Sequence, residues 1–391
     1  MPNSRRTVVV MVGSQRQYNR DVLRGIARYV RRVGDWRLET EPTQQQGALS
    51  LALALEADGA ILFMENRRQL EAFRQAGTPF VNLSSTLPLG ETPHVSNEGK
   101  GIAQLAIEHF LKRGIRNVAF CDLNHRSFVR RNPFEAEALA RNLNFTAFEV
   151  AYRDRHKWIY EHDRDELDAW LAGLPKPVGI LGHNDVRGRQ IVDGCRRVGL
   201  HVPTEAAVLG VDNELPHCEL CDPPLSSIVP AAEQIGFSAA EILDGLMNGV
   251  TPDPLWKLIP PLGVVTRQST EMVATADPAA SRAVRFIRQN AHRSIGVNDV
   301  VEAVGLSRTT LDLRFRKAFG HTPHEEIVRV RLQTGRQLLS ETDLTLDAIA
   351  VRTGFRHAEY FGAVFRKRYG QTPGEYRRQS RTVSSSLPAL E

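Results

Sequence analysis

Cysteine is scarce. Four thiols in 391 residues cannot build a disulfide framework for a chain of this size, so a reducing compartment is expected and the protein is read as cytoplasmic. Long apolar runs are missing too. The longest near the start, residues 8–12, falls far below the ~18 residues of a membrane span and below the core of a secretory signal, so nothing looks secreted or anchored. No Gly-x-x-x-x-Gly-Lys or Gly-x-Gly-x-x-Gly occurs, and nucleotide-driven mechanisms lose support with them. Cys218-x-x-Cys221, with His217 adjacent, has metal-like spacing but no second Cys or His pair nearby. No metal or other cofactor is therefore expected.

What is present is an ordinary globular composition, 42% apolar and 24% charged, which fits neither disorder nor collagen nor a coiled coil. The length predicts two or three domains. The net charge of +5 is unevenly placed: residues 278–382 hold 19 Lys or Arg against 10 Asp or Glu. A basic quarter on a near-neutral body points to a polyanion-binding module carried by a sensor or enzyme, although a solvated basic surface gives the same count.

Up to about residue 266 short β-branched runs alternate with amphipathic stretches, the pattern of βαβ units around a parallel sheet. Strands are expected at residues 8–12, 59–63, 80–83, 118–121, 178–181 and 207–211, and helices at 21–33, 100–113 and 188–198. Some 260 residues are many for one such sheet, and the pattern repeats on either side of residue 113. Two lobes with a binding cleft between them are expected over residues 1–272. A linker is expected at 273–280, a wholly helical domain at 281–380 and a flexible tail at 381–391.

The helical part contains an internal repeat. Val304-Gly305-Leu306-Ser307, Phe315-Arg316-Lys317 and Gly320-His321-Thr322-Pro323 recur 49 to 50 residues later as Thr353-Gly354-Phe355-Arg356, Phe365-Arg366-Lys367 and Gly370-Gln371-Thr372-Pro373. Each copy reads as helix, glycine turn, second helix and a Gly-x-Thr-Pro stop, which makes two helix-turn-helix units in tandem. A helix presented by a tight turn fits the major groove of DNA. Ser307 is placed to cap the first recognition helix, with Arg308, Thr309, Thr310, Asp312 and Arg314 projecting from it. Arg356, His357 and Glu359 are their counterparts in the second. Arg316, Lys317, Arg366 and Lys367 suit phosphates.

This segment resembles the AraC-type DNA-binding domain, through Leu346-Asp347-Ala348-Ile349-Ala350, Gly354-Phe355, Tyr360-Phe361, Phe365-Arg366-Lys367 and Gly370-Gln371-Thr372-Pro373. The resemblance implies double-stranded DNA as partner and transcription activation, with RNA polymerase as a further contact. Leu313 stands where a basic or polar residue is commoner in that family, and Gly362 and Ala363 offer little to a second groove. The preceding body resembles the sugar-binding core of LacI-type repressors, similar to periplasmic sugar-binding proteins but without a DNA headpiece. The carrying residues are 21–27, Gly182-His183-Asn184-Asp185, 203–211 and Gly210-Val211-Asp212-Asn213-Glu214. This domain order resembles regulators of pentose catabolism, which implies a sugar effector, D-xylose first, and a homodimer.

Sugar chemistry supports the same site. Several hydroxyls and an apolar ring face require carboxylates, amide or guanidinium donors and an aromatic platform. Asp185 and Asp212 follow strands, with Asn184 beside the first. Tyr18 lies near the first helix, and the resemblance adds Arg130 and Trp158. An Asp after a strand is also a common helix cap, and Asn97 is expected to cap the helix that follows it. The enzyme alternative is an amidase-like sensor using Cys121 at a strand end, yet Phe120-Cys121-Asp122-Leu123 lacks the glycines of a nucleophile elbow. A binding module whose helical tail only mediates assembly is the other alternative.

Overall fold

Burial on both faces is what turns the short apolar runs into strands, and all six expected runs are strands. The computed structural model describes residues 5–33, 35–40, 56–64, 66–85, 87–122, 128–149, 163–271 and 277–384. It divides into two units, Met1–Met272 and Val273–Glu391.

In chain order, the first lobe of the first unit contains β1 (Arg6–Met11), α1 (Gln17–Val33), β2 (Trp36–Thr40), β3 (Gly59–Leu62), α2 (Arg67–Ala76), β4 (Phe80–Asn82) and β5 (His94–Asn97). The second lobe follows with α3 (Gly99–Leu111), β6 (Asn117–Cys121), α4 (Phe128–Ala140), β7 (Asn144–Phe148), α5 (Arg164–Ala172), β8 (Val178–Gly182), α6 (Asp185–Arg197), β9 (Ala206–Val211), α7 (Leu215–Glu219) and β10 (Ser226–Val229). The chain then returns through α8 (Ala232–Met247) and β11 (Trp256–Ile259) to the first sheet, and ends with β12 (Gly263–Val265) in the second.

The sheet orders are β11-β5-β4-β3-β1-β2 and β12-β10-β9-β8-β6-β7, parallel except for β12. The first crossing lies at Glu98, not near residue 113. Helix α3 belongs to the second lobe because Ile102, Ala106 and Phe110 pack with Val118, Leu209 and Ile228 there. In the first lobe α1 and α8 cover one sheet face with Val22, Ile26, Ile235 and Leu243, while Leu70 and Phe73 of α2 cover the other. After β12 a buried polar network fastens the chain to the second lobe. Thr270 Oγ1 bonds both His109 Nε2 and Ser226 Oγ at 2.7 Å, and Ser269 Oγ donates to the Val208 carbonyl at 2.6 Å. Burial pushes the His109 imidazole down to about 3, so it serves as a neutral partner.

The second unit is helical: α9 (Pro278–Asn290), α10 (Val297–Val304), α11 (Arg308–Phe319), α12 (Pro323–Glu341), α13 (Leu346–Arg352), α14 (Ala358–Tyr369) and α15 (Pro373–Ser384). Three sequence expectations change. Helix α9 begins inside the expected 273–280 linker, because Asp277 caps it through the Ala279 and Ala280 N–H groups and Pro278 takes a position that needs no donor. The Thr-Pro pairs do not stop a helix but start one: Thr322 and Glu325 form a capping box ahead of Pro323, and the Gly320 before them, at φ 75°, ends α11. Helix α15 runs to Ser384, past the expected start of the tail at 381.

Helix α12 joins two small cores. Ile327 packs with Val300, Leu311 and Phe315, whereas Leu332 and Leu339 pack with Ile349, Phe361 and Phe365. Its 19 residues span roughly 28 Å at the α-helical rise, close to the ~34 Å that separates successive major-groove turns.

Candidate functional sites

The ligand candidate lies where strand ends from both lobes meet. Tyr18 stands in the first turn of α1, Asn97 ends β5, Arg130 is in the first turn of α4, His183 and Asn184 follow β8, and Asp212 follows β9. Open α/β sheets bind ligands at these carboxyl ends. Arg130 donates to Asp212 Oδ1 at 3.2 Å and also to the His183 carbonyl. Across the cleft Asn97 Nδ2 donates to the Tyr18 hydroxyl at 3.2 Å. Burial raises the Tyr18 phenol, and the Asp212 charge adds to it while Arg130 opposes it, so the two pairs share one electrostatic site. Burial also raises the Asp212 carboxyl, with Arg130 and Arg16 opposing.

Asp212 has a φ of 104° and Asn213 one of 50°, conformations that cost a non-glycine residue energy and must be held by their surroundings. Here the Asp212 N–H donates to the Ile228 carbonyl at 3.0 Å, the Asn213 N–H to Ser227 Oγ at 2.9 Å, and Arg267 to Asn213 Oδ1 at 2.9 Å.

Asp185 is placed differently. It is 1% exposed, with Oδ1 accepting from Ser227 Oγ and Oδ2 from the Glu214 N–H, each at 2.6 Å. Burial, then the Asp212 charge, raises it to about 7. Both oxygens thus accept hydrogen bonds from within the second lobe, and through the Glu214 N–H the carboxylate supports the Asp212 to Glu214 loop. Asn184 is likewise a cap: Oδ1 accepts from the Arg187 N–H at 3.0 Å. Trp158 lies outside the described residues.

Asn97 was misread by sequence. Glu98 is the N-cap residue of α3, and Asn97 faces Tyr18 with its Oδ1 buried and without a partner. An orphaned buried acceptor is uncommon, and only the tertiary fold shows it. Glu214, whose role the sequence motif does not reveal, accepts from the Gln17 N–H at 2.6 Å and pairs with Arg20 at 3.6 Å, linking the lobes.

Cys121 is buried, and burial pushes its thiol up to about 12. Cys218 and Cys221 are also buried and shifted upward. Among the described residues no group of three or more His, Cys, Asp or Glu is arranged to hold a metal, and no helix is long and apolar enough to cross a membrane.

In the second unit, Gly305 at φ 69° and Gly354 at φ 83° make the two turns. Ser307 caps α11, accepting from the Thr310 N–H at 3.2 Å. Arg308, Thr309, Thr310, Arg316 and Lys317 are exposed on α11, as are Glu359, Arg366 and Lys367 on α14 and Arg356 and His357 before it. Asp312 is half-buried. Arg314 departs from expectation: its Nε donates to Asp277 Oδ2 at 2.6 Å, and it ties α11 to the cap of α9.

Two domain models match the two units: residues 107–270 fit the periplasmic binding protein-like domain, and 300–379 fit a helix-turn-helix domain. The order of the two is found in a solved structure of a xylose-binding transcription activator, which superposes with a TM-score of 0.79 at 27% identity over 97% of this chain and 99% of that one. This chain is a helix-turn-helix transcription regulator. The regulator is 28% identical to the xylose operon regulatory protein of Escherichia coli K12 over 96% of its own length and 98% of the relative's. It is 27% identical to that of Haemophilus influenzae, over 95% and 97%. A cellobiose complex of a transcriptional regulator shares the fold of the first unit, with a TM-score of 0.55 at 18% identity.

Proposed function

We propose that this regulator is a cytoplasmic, sugar-responsive activator of pentose catabolic genes, with D-xylose as effector, duplex operator DNA as target and no enzymatic activity. The observation that carries the sugar reading is the cross-cleft cluster of Arg130, Asp212, Tyr18 and Asn97. A carboxylate and an orphaned amide oxygen accept, a guanidinium donates, and the phenol does either, which suits a ring bearing several hydroxyls. The buried, upward-shifted Cys121 thiol gives an amidase-like reading no nucleophile. Asp185 and Asn184 act through the shape they impose. The regulator works as a homodimer that places two helix-turn-helix pairs on a two-part operator and contacts RNA polymerase.

Calorimetry of the whole chain against pentoses, hexoses and their phosphates tests the effector. Failure of all of them to bind rejects the sugar reading. Asp212→Ala is expected to remove a charge-assisted hydrogen bond and leave Arg130 without its carboxylate partner, cutting affinity ~10- to 150-fold. Gel shifts test the target, and affinity that does not fall steeply with salt rejects phosphate neutralisation by the basic helix ends.

A further inference from the structure

We propose that Leu313 reads the 5-methyl group of a thymine in the major groove, making the first recognition helix of this regulator selective for an A·T pair. The inference rests on the DNA-binding reading above. Leu311 and Phe315 are the buried side chains of α11, and Leu313 lies two residues from each. At ~100° per residue it points roughly 160° away from both, straight out from the core. It is 70% exposed. Single exposed leucines are ordinary on protein surfaces, so the argument turns on what surrounds this one.

One turn to either side the same outward face carries Thr309, Thr310, Arg316 and Lys317, all exposed. The flanks therefore suit phosphates and polar base edges, and the crest of the helix is apolar. Arg314, the cation next to Leu313 in sequence, lies about 100° around the helix from it and is held by Asp277 at 2.6 Å. In a major groove the crest of a recognition helix lies nearest the base edges, while flanking charges meet the backbone. Leucine has nothing to offer a phosphate or a base amide. The one apolar feature that a base pair presents in that groove is the thymine methyl.

The corresponding crest of α14 is Ala363, between the buried Phe361 and Phe365. It is exposed but too short to cover a methyl group at the same distance, so the apolar readout belongs to the first helix.

The full chain would first be used to select a consensus from a random duplex pool at low salt. Each thymine of the consensus is then replaced by deoxyuridine, which deletes only the methyl, and affinity is read by fluorescence anisotropy. One replacement is expected to cost the unmodified protein about three- to tenfold, the range for burying one methyl-sized group. Leu313→Ala is expected to bind the thymine duplex more weakly by a similar factor and to be indifferent to uracil at that position. Leu313→Gln, reselected, is expected to enrich adenine there, since glutamine pairs with adenine N6 and N7. Both variants should unfold like the parent because the side chain leaves the core untouched.

Uniform tolerance of uracil by the unmodified protein overturns the proposal. So does a uracil penalty that persists undiminished in Leu313→Ala, or a lowered unfolding transition in that variant. If the full chain enriches no duplex at all, the DNA-binding reading itself fails, an outcome distinct from these.

Discussion

Asp185 and Asp212 follow neighbouring strands of one sheet, yet their surroundings assign them opposite tasks. Asp185 is enclosed by Ser227 Oγ and the Glu214 N–H, while Asp212 shares a cleft with Arg130 and Tyr18. The raised Asp185 pKa has a thermodynamic consequence. With a folded value of about 7 against an ordinary 3.8, the folded state binds the extra proton between those limits. The associated stability is full below about pH 4 and is lost as pH rises through 7. Sensor stability attributable to this group is expected to fall by about 2 to 4 kcal/mol between pH 4 and 8. Denaturant titrations of the parent and Asp185→Asn across that range check it, and an equal slope in both rejects the assignment.

Elements in the helical unit are set by caps and by one buried charge network. Glu326, wholly buried, accepts from Arg329 at 2.7 and 2.8 Å and from His321 at 3.0 Å, and lies 3.6 Å from Arg288. Burial works against its charge, but Arg329 and Arg288 outweigh it and hold the carboxyl at about 2. That stability is present above the ordinary glutamate range and is lost as pH falls through 2. Glu326→Ala removes the buried carboxylate from these cations and is expected to cost about 3 to 5 kcal/mol, read from the melting of the helical unit in the full chain. A difference under 1 kcal/mol would mean the network contributes nothing. The two turn glycines offer an internal comparison. A Cβ at Gly305 meets open space, whereas at Gly354 it would lie 2.3 Å from the Ala291 carbonyl. Gly305→Ala should therefore cost only the left-handed penalty of about 1 to 2 kcal/mol, and Gly354→Ala distinctly more. Equal losses would show that φ alone matters.

For the whole molecule the question is how a small ligand biases a protein made of separate units. Glu214 belongs to the second lobe, yet it accepts from the Gln17 N–H and pairs with Arg20 in the first, beside the Asp212 site. A sugar held by both lobes favours their closed arrangement, and only its differential affinity for that arrangement can shift the equilibrium. Glu214→Ala removes the bridge without touching Arg130, Asp212 or Tyr18. Sugar affinity is expected to fall about tenfold, and the factor by which sugar strengthens operator binding should equal the factor by which operator strengthens sugar binding. Calorimetry with and without operator decides this, and equal sugar affinities in the two rule out an equilibrium coupling.

Local signals carried much of this regulator's plan. Runs that are buried on both faces, such as Ala206–Val211, announce themselves as strands because every position must be apolar. The helix-turn-helix pair was legible because each copy holds its own turn glycine, core aromatics and Gly-x-Thr-Pro punctuation within some 25 residues. Strands such as His94–Asn97 and Ser226–Val229 were not legible, since polar residues are tolerated there by specific partners: Ser96, two residues along the same strand, for His94, and Arg267 and Ser269 from a distant segment for Ser226. The Thr-Pro punctuation was visible, but whether it ended one helix or began the next depended on where Glu325 closed its capping box. Only the tertiary structure separated Asp212 from Asp185, gave Arg314 to Asp277 and left the Asn97 oxygen without a partner. Arg130 meets Asp212 across 82 residues of chain, and at such separations a contact is a property of the packed lobes, because no local pattern encodes which buried charge finds which partner.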